Sequence, residues 1–99
     1  MIARHPPTDI RDVRFVQAAP ADVERGLVGF VSFTLGPLRI GGVTVRRLAD
    51  SRRLALSFPC RRDAHGGRHF VVRPIGDRER RAVEFEVLRA LGLTEAAAP

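Results

Sequence analysis

The segment from Leu27 to Leu35 constrains the fold more than any other part of the chain. It is rich in Val, Phe and Thr and lies between turn signals at Gly26 and Gly36-Pro37, as β-strands do. Apolar residues occupy both sides, which predicts a central strand. The face with Leu27, Val31, Phe33 and Leu35 is expected in the core, with Val28 and Phe30 on the opposite face.

Similar patterns predict four more strands, separated by glycine and proline signals. Gly41-Gly42 interrupts one of them, which indicates a bulge or bend. The segment from Cys60 to Arg68 is predicted to be a basic loop with Gly66-Gly67 at its tip. Residues 18–26 are predicted to form a second loop, and residues 49–53 a turn around Asp50-Ser51. The predicted strands are Arg11–Ala18, Leu38–Arg47, Leu54–Phe58 before Pro59, and His69–Arg73 before Pro74.

The last predicted element is a helix that begins with Asp77 as N-cap and ends before Gly92. Arg80 and Glu84 are spaced to pair across one turn. Helical spacing predicts a buried stripe of Val83, Val87, Leu88 and Leu91.

Consecutive strands joined by short turns favour antiparallel pairing, and one helix must then cover one sheet face. The predicted fold class is therefore α+β, with a small antiparallel sheet of about five strands and one C-terminal helix packed against it. Residues 10–93 are expected to form a single domain, residues 1–9 a flexible arm, and residues 94–99 a frayed tail.

Composition narrows the function classes. Apolar residues make up 44% of the chain, yet no apolar run has the length of a membrane span, and residues 1–7 do not resemble a secretory signal. Cys60 is the only cysteine, so neither a disulfide framework nor a cysteine-based zinc site is expected. These features favour a cytoplasmic protein with no cofactor, no membrane partner and no small-molecule substrate.

Positive charge is concentrated in residues 51–81, the basic segment. All seventeen basic residues are arginines, and the formal net charge is +6. The basic segment carries nine arginines and three acids, so its net charge of +6 equals that of the whole chain. Clustered arginine is typical of proteins that bind a polyanion, although a solvated surface without a ligand remains an alternative.

Residue patterns for catalysis and metal binding are weak. No serine lies in a nucleophile-elbow context. Cys60 lies near His65 and His69 in sequence, but an inert cysteine at a strand end is the simpler interpretation, and adding Asp63 does not give the paired spacing of a zinc site. The sequence therefore predicts a non-enzymatic protein without a metal.

The remaining candidate is a nucleic-acid-binding surface made by arginines of the basic loop and the start of the helix. Guanidinium groups there would contact phosphates, which positions a protein but carries little sequence information. We call these seven residues the site arginines: Arg61, Arg62, Arg68, Arg73, Arg78, Arg80 and Arg81. With no Trp or Tyr, and only Phe58 and Phe70 near the basic segment, base stacking is expected to be limited.

An ordered set of segments resembles the stage V sporulation protein G (SpoVG) septation family. Asp12-Val13-Arg14-Phe15 is similar to its opening strand, and Leu54 to Arg62 is similar to its "G-L-F-V-A-M-P-S-R-K" segment. Pro59, Gly66 and Pro74 keep the family spacing. Further similar segments are Gly29 to Leu35, Gly42 to Val45, Pro74-Ile75 and Arg80.

This resemblance implies a small homodimer that binds DNA or RNA and regulates gene expression, septation, cell division or sporulation. Three single positions and one four-residue run in the basic segment and the helix start depart from the family pattern: Arg68, Arg73, Ala82 and the run Gly76 to Glu79. The alternative from another class is a protein-interaction adaptor that binds an acidic partner through the same basic surface.

Overall fold

The computed structural model describes residues 7–49, 51 and 53–93. The predicted tail, most of the predicted arm, and two positions of the predicted turn, Asp50 and Arg52, lie outside the described residues. No described helix is both long enough and apolar enough to span a membrane. The elements are β1 (Ile10–Gln17), α1 (Pro20–Glu24), β2 (Leu27–Leu35), β3 (Leu38–Arg47), β4 (Leu54–Ser57), β5 (Cys60–Arg62), β6 (Arg68–Phe70) and α2 (Asp77–Ala90).

The main sheet is antiparallel in the order β1-β2-β3-β4, which confirms that β2 is internal. The bounds of β2 and β3 match the sequence prediction. The predicted irregularity at Gly41-Gly42 is also confirmed. Val31 of β2 pairs with Val43 of β3, but Phe33 pairs with Ile40, so the register shifts where β3 contains the two glycines. Gly42 has a φ of +73°, a conformation that glycine adopts without a Cβ clash.

Gly29 lets an aromatic ring lie directly over the inner face of the sheet. A Cβ at this position would come within 2.4 Å of the Phe15 ring and 2.6 Å of the Val16 carbonyl oxygen. The Phe15 side chain packs against the core from the edge strand β1. Glycine in the middle of β2 is therefore required by a close approach, which a larger residue would prevent.

Helix α2 covers the inner face of the sheet and closes the core. Val83, Val87 and Leu88 are buried against residues of β2, β3 and β4, and Leu91 packs beside them, so the predicted stripe is confirmed. The helix ends as predicted: Gly92 has a φ of +71°, and the Leu93 amide donates to the Leu88 carbonyl across the terminus. The core residues from the sheet are Val31, Phe33, Ile40, Val43, Val45 and Leu56.

The predicted fifth strand is wrong in its bounds and in its pairing. Strand β6 covers Arg68–Phe70 rather than residues 69–73, and it pairs only with β5, so the two form a separate hairpin. Part of the predicted basic loop is thus a strand, and only residues 63–67 form the turn. Pro59 explains the break, since it has no amide hydrogen with which to continue a ladder from β4.

Two local predictions also differ from the structure. The segment predicted as a loop before β2 contains the five-residue helix α1, which begins at Pro20 because proline suits the first helical position. The N-cap of α2 is Gly76 rather than Asp77, which is the first residue inside the helix. Asp77 and Glu79 still place negative charge in the first turn, where it stabilises the helix dipole.

Glu84 of α2 satisfies a backbone amide at the edge of the main sheet. Its carboxylate accepts a hydrogen bond of 3.0 Å from the Leu56 amide of β4, and it lies 3.7 Å from the Arg80 guanidinium, the pair predicted from helical spacing. The Glu84 side chain is only 14% exposed. An edge strand presents unpaired amides to other chains, so this contact both anchors the helix and covers part of the edge.

We predict that Glu84→Ala destabilises the fold by about 1.5–3 kcal/mol, because it leaves the Leu56 amide without its charged acceptor. Glu84→Gln keeps an acceptor oxygen and should cost about 1 kcal/mol. Urea unfolding measures both values. Glu86→Ala is the control, since Glu86 pairs only across the helix surface with Arg89, and its loss should cost about 0–1 kcal/mol. Parent-like stability of Glu84→Ala would contradict this role.

Candidate functional site

The hairpin of β5 and β6 presents three of the site arginines. Its register pairs Arg61 with His69 and Arg62 with Arg68, and all four residues are exposed. Two arginines therefore lie directly opposite each other on adjacent strands. Like charges in such positions destabilise a sheet, so Arg62 and Arg68 are placed where a bound anion would relieve the repulsion.

Asp63 holds the turn of the hairpin together. One carboxylate oxygen accepts hydrogen bonds from the amides of His65 and Gly67, and the other lies 2.7 Å from the His69 ring nitrogen. The His69 hydrogen bond, and then the Gly67 and His65 amides, lower the pKa of Asp63 below its ordinary value. Gly66 completes the turn with a φ of +81°, which confirms the predicted glycine tip.

Cys60 begins β5 and is half-buried. The Arg68 guanidinium lies 3.3 Å from its sulfur, and this hydrogen bond raises the pKa of Arg68 above its ordinary value. In the described part of the chain, no three His, Cys, Asp or Glu side chains are grouped as a metal ion would need.

Two further site arginines, Arg73 and Arg80, line a cleft of about 280 Å³ between β4, the end of the hairpin and the start of α2. The Arg73 guanidinium lies over the Phe70 ring, 5.4 Å from its centre. Arg80 lies between two carboxylates, 3.8 Å from Asp77 and 3.7 Å from Glu84. Apolar walls come from Leu56, Phe58, Phe70, Pro74 and Ile75.

Arg78 and Arg81 are exposed on α2. Their spacing places them on the same side of the helix as Phe85 and Arg89, whose guanidinium lies 5.9 Å from the centre of the Phe85 ring. Arg80 is on a different side, facing the cleft and Glu84. The structure therefore divides the site arginines into a hairpin group, a cleft group and a helix group, rather than one continuous patch.

Ion pairing distinguishes most site arginines from some arginines elsewhere, but not from Arg25, Arg46 and Arg47, which are also exposed with no ion pair among the described residues. Arg11 and Arg14 pair with Asp9 and Asp12, and Arg39 contacts Asp12, Ser32 and Thr34. By contrast, Arg80 is the one site arginine with a carboxylate within 4.0 Å among the described residues. The other six are exposed without such a partner: Arg61, Arg62, Arg68, Arg73, Arg78 and Arg81.

Sequence reasoning placed Phe58 and Phe70 near the basic segment but did not identify the cleft that they share. The apolar residues Phe70 and Ile75 were the available signal, since they lie on either side of Arg73-Pro74 in the basic segment. In the structure Ile75 is 89% exposed and Phe70 is 55% exposed. Compared with models of known families, the chain matches none, and no curated protein matches it.

The hydrogen bonds of Asp63 make the stability of the hairpin depend on pH in the acid range. Because Asp63 has a lowered pKa in the folded protein, its contribution to hairpin stability is present above its ordinary pKa of 3.8 and is lost as the pH falls through the lowered value. We predict that NMR will show the Asp63 carboxyl titrating below 3.8, together with the amides of His65 and Gly67.

Since the His69 contact is the largest cause, His69→Ala should return the Asp63 pKa towards its ordinary value. Asp63→Asn should remove the acid transition from the hairpin amides while the main sheet stays folded. An unshifted Asp63 in the parent protein would show that these turn contacts do not form in solution.

Proposed function

We propose that this protein is a non-enzymatic regulator that binds DNA or RNA, of the type implied by the resemblance to the SpoVG family. The observation that carries the proposal is the pairing of Arg62 with Arg68 across the hairpin, with neither forming an ion pair within 4.0 Å among the described residues. A fold gains nothing from this repulsion, whereas a phosphate between two guanidinium forks accepts hydrogen bonds from both.

Charge distribution supports the same function. The basic segment has a net charge of +6, and its arginines project from two separate elements, the hairpin and the start of α2. A phosphate backbone is a repeating line of charge, so it can contact separate groups of arginines, whereas a single small anion would need them gathered at one point. Phosphate contacts of this kind release counterions, and the binding constant then falls steeply with salt.

We predict that replacing Arg61, Arg62 and Arg68 together with alanine will weaken nucleic-acid binding. The magnitude of the log–log salt slope should fall by about one for each phosphate that is no longer neutralised. Replacing Arg78 and Arg81 should do the same for the helix group. Fluorescence anisotropy with DNA and RNA of equal length, across a salt series, measures both effects.

A matched control removes the same number of charges from outside the basic segment. The triple variant Arg11→Ala, Arg14→Ala and Arg25→Ala should bind almost as tightly as the parent, with a nearly unchanged slope. Each exposed arginine should contribute only about 0–1 kcal/mol to stability. If the control weakens binding as much as the hairpin variant, the site is wrongly placed.

Failure of the parent protein to bind DNA or RNA at low salt would reject the proposed function. The adaptor function would then take its place, with an acidic protein segment as the ligand of the same arginines. Such a segment could also cover exposed Val71 and Ile75, since apolar contacts at the centre and charges at the rim are typical of protein interfaces.

We also propose that the regulator is a homodimer. The outer face of the main sheet carries a row in which Val16 of β1 lies beside Phe30 of β2, followed by Thr44 and Ser57. Val16 and Phe30 are both exposed, although large apolar residues in adjacent strand positions are usually covered. A second copy of the chain would bury them.

The expected result is a dimer mass by light scattering at micromolar concentrations. Phe30→Glu should shift the mass to that of a monomer, because burying an unpaired carboxylate at the interface is costly. Circular dichroism should remain unchanged, since Phe30 lies on the face opposite the core. A stable monomer for the parent protein would rule out the homodimer.

A further inference from the structure

The cleft beside the basic hairpin exposes apolar surface that the fold does not use. Ile75, at 89% exposed, and Phe70, at 55% exposed, line it together with the half-buried Phe58. Apolar surface of this kind, surrounded by polar groups, marks interaction sites rather than folding contacts. Cationic groups lie at the same place, so the occupant should combine an apolar face with negative charge.

The Phe70 ring and the Arg73 guanidinium form a stacking platform. The guanidinium already lies over the ring at 5.4 Å from its centre, and more than half of Phe70 remains accessible in that arrangement. Nucleic-acid bases stack on both aromatic rings and guanidinium planes, and every base has such a face. A cleft of about 280 Å³ is also small enough to suit one flat ring rather than a large ligand.

The charges around the cleft favour one orientation of a nucleotide. Arg73 has no carboxylate partner in the described part of the chain, whereas Arg80 is held by Asp77 and Glu84. Asp77 lines the cleft and can only accept hydrogen bonds, so it would repel a phosphate but accept a base amino group. The base therefore belongs inside, with the phosphates outside, towards Arg73 and the hairpin.

We infer that this cleft binds one unpaired base of a single-stranded nucleic acid by stacking on Phe70. The inference rests on the proposed function and specifies its ligand. Bases inside a duplex are stacked on each other and cannot enter the cleft, whereas an unpaired base can. The hairpin and helix arginines bind the backbone of either form, and the cleft adds affinity for single strands alone.

Phe70→Ala tests the inference with labelled single-stranded and duplex DNA of the same length and at the same salt concentration. Single-strand binding should weaken by roughly 5- to 150-fold, the effect of losing one stacked base, and duplex binding should change by less than about 2-fold. The matched control is Phe85→Ala, since Phe85 is 43% exposed and lies under Arg89 in a similar pair outside the cleft. Its single-strand affinity should stay close to that of the parent.

Two further variants keep the test independent of folding. Phe70→Leu keeps apolar area but loses the ring, so it should bind single strands as poorly as Phe70→Ala. Phe70→Trp keeps an aromatic face and introduces the only tryptophan of the chain. Its emission should be quenched by single strands and should change little with duplex.

Parent-like single-strand binding by Phe70→Ala or Phe70→Leu would overturn the inference, as would equal losses for single strand and duplex. In both cases the parent still binds nucleic acid, so the proposed function survives. A parent that binds neither form at low salt rejects both. If the parent binds no single strands and Phe70→Leu binds an acidic apolar peptide, the cleft is assigned to a protein partner instead.

Discussion

The packing of α2 on the inner face of the main sheet positions everything that the proposed site uses. Val83, Val87 and Leu88 fix the rotation of the helix about its axis, because they are buried in the same core cluster as Val43 and Val45. That rotation turns Glu84 to the edge of β4 and Arg80 to the cleft. It also leaves Arg78 and Arg81 on the solvent side. A helix shifted by one residue would exchange these groups and bury a guanidinium, which is strongly unfavourable.

The sequence was sufficient to predict the main sheet and the helix, and the reason lies in burial. In β2 alternate residues enter the core, so the positions of Val31 and Phe33 show a period of two in the sequence, and Gly26 and Gly36 flank the strand. Helical spacing revealed the stripe on α2 and the Arg80–Glu84 pair for the same reason. These elements are stabilised by core contacts, and such contacts place apolar residues at regular intervals in the sequence.

The hairpin and the cleft could not be predicted in the same way. Strands of three residues with almost no burial carry no period, so Cys60–Arg62 resembled a loop in sequence. The cleft is lined by residues of three separate stretches, from Leu56 to Arg80, and only the turn of the chain at Pro59 brings them together. That Arg62 and Arg78 have no carboxylate partner among the described residues likewise depends on packing, since acids are present nearby in sequence. DNA or RNA binding and dimerisation remain predictions.

The separation of the hairpin from the main sheet has a consequence for how such a protein can change over generations. All of its strand side chains except Cys60 are exposed, so substitutions there cost the core almost nothing. Most mutations destabilise a domain, and selection removes those that lower its stability below what function needs. Substitutions in the hairpin do not lower the stability of the core in this way, so its charge can change one arginine at a time. The ligand preference of this surface can therefore diverge between relatives whose scaffolds stay nearly identical.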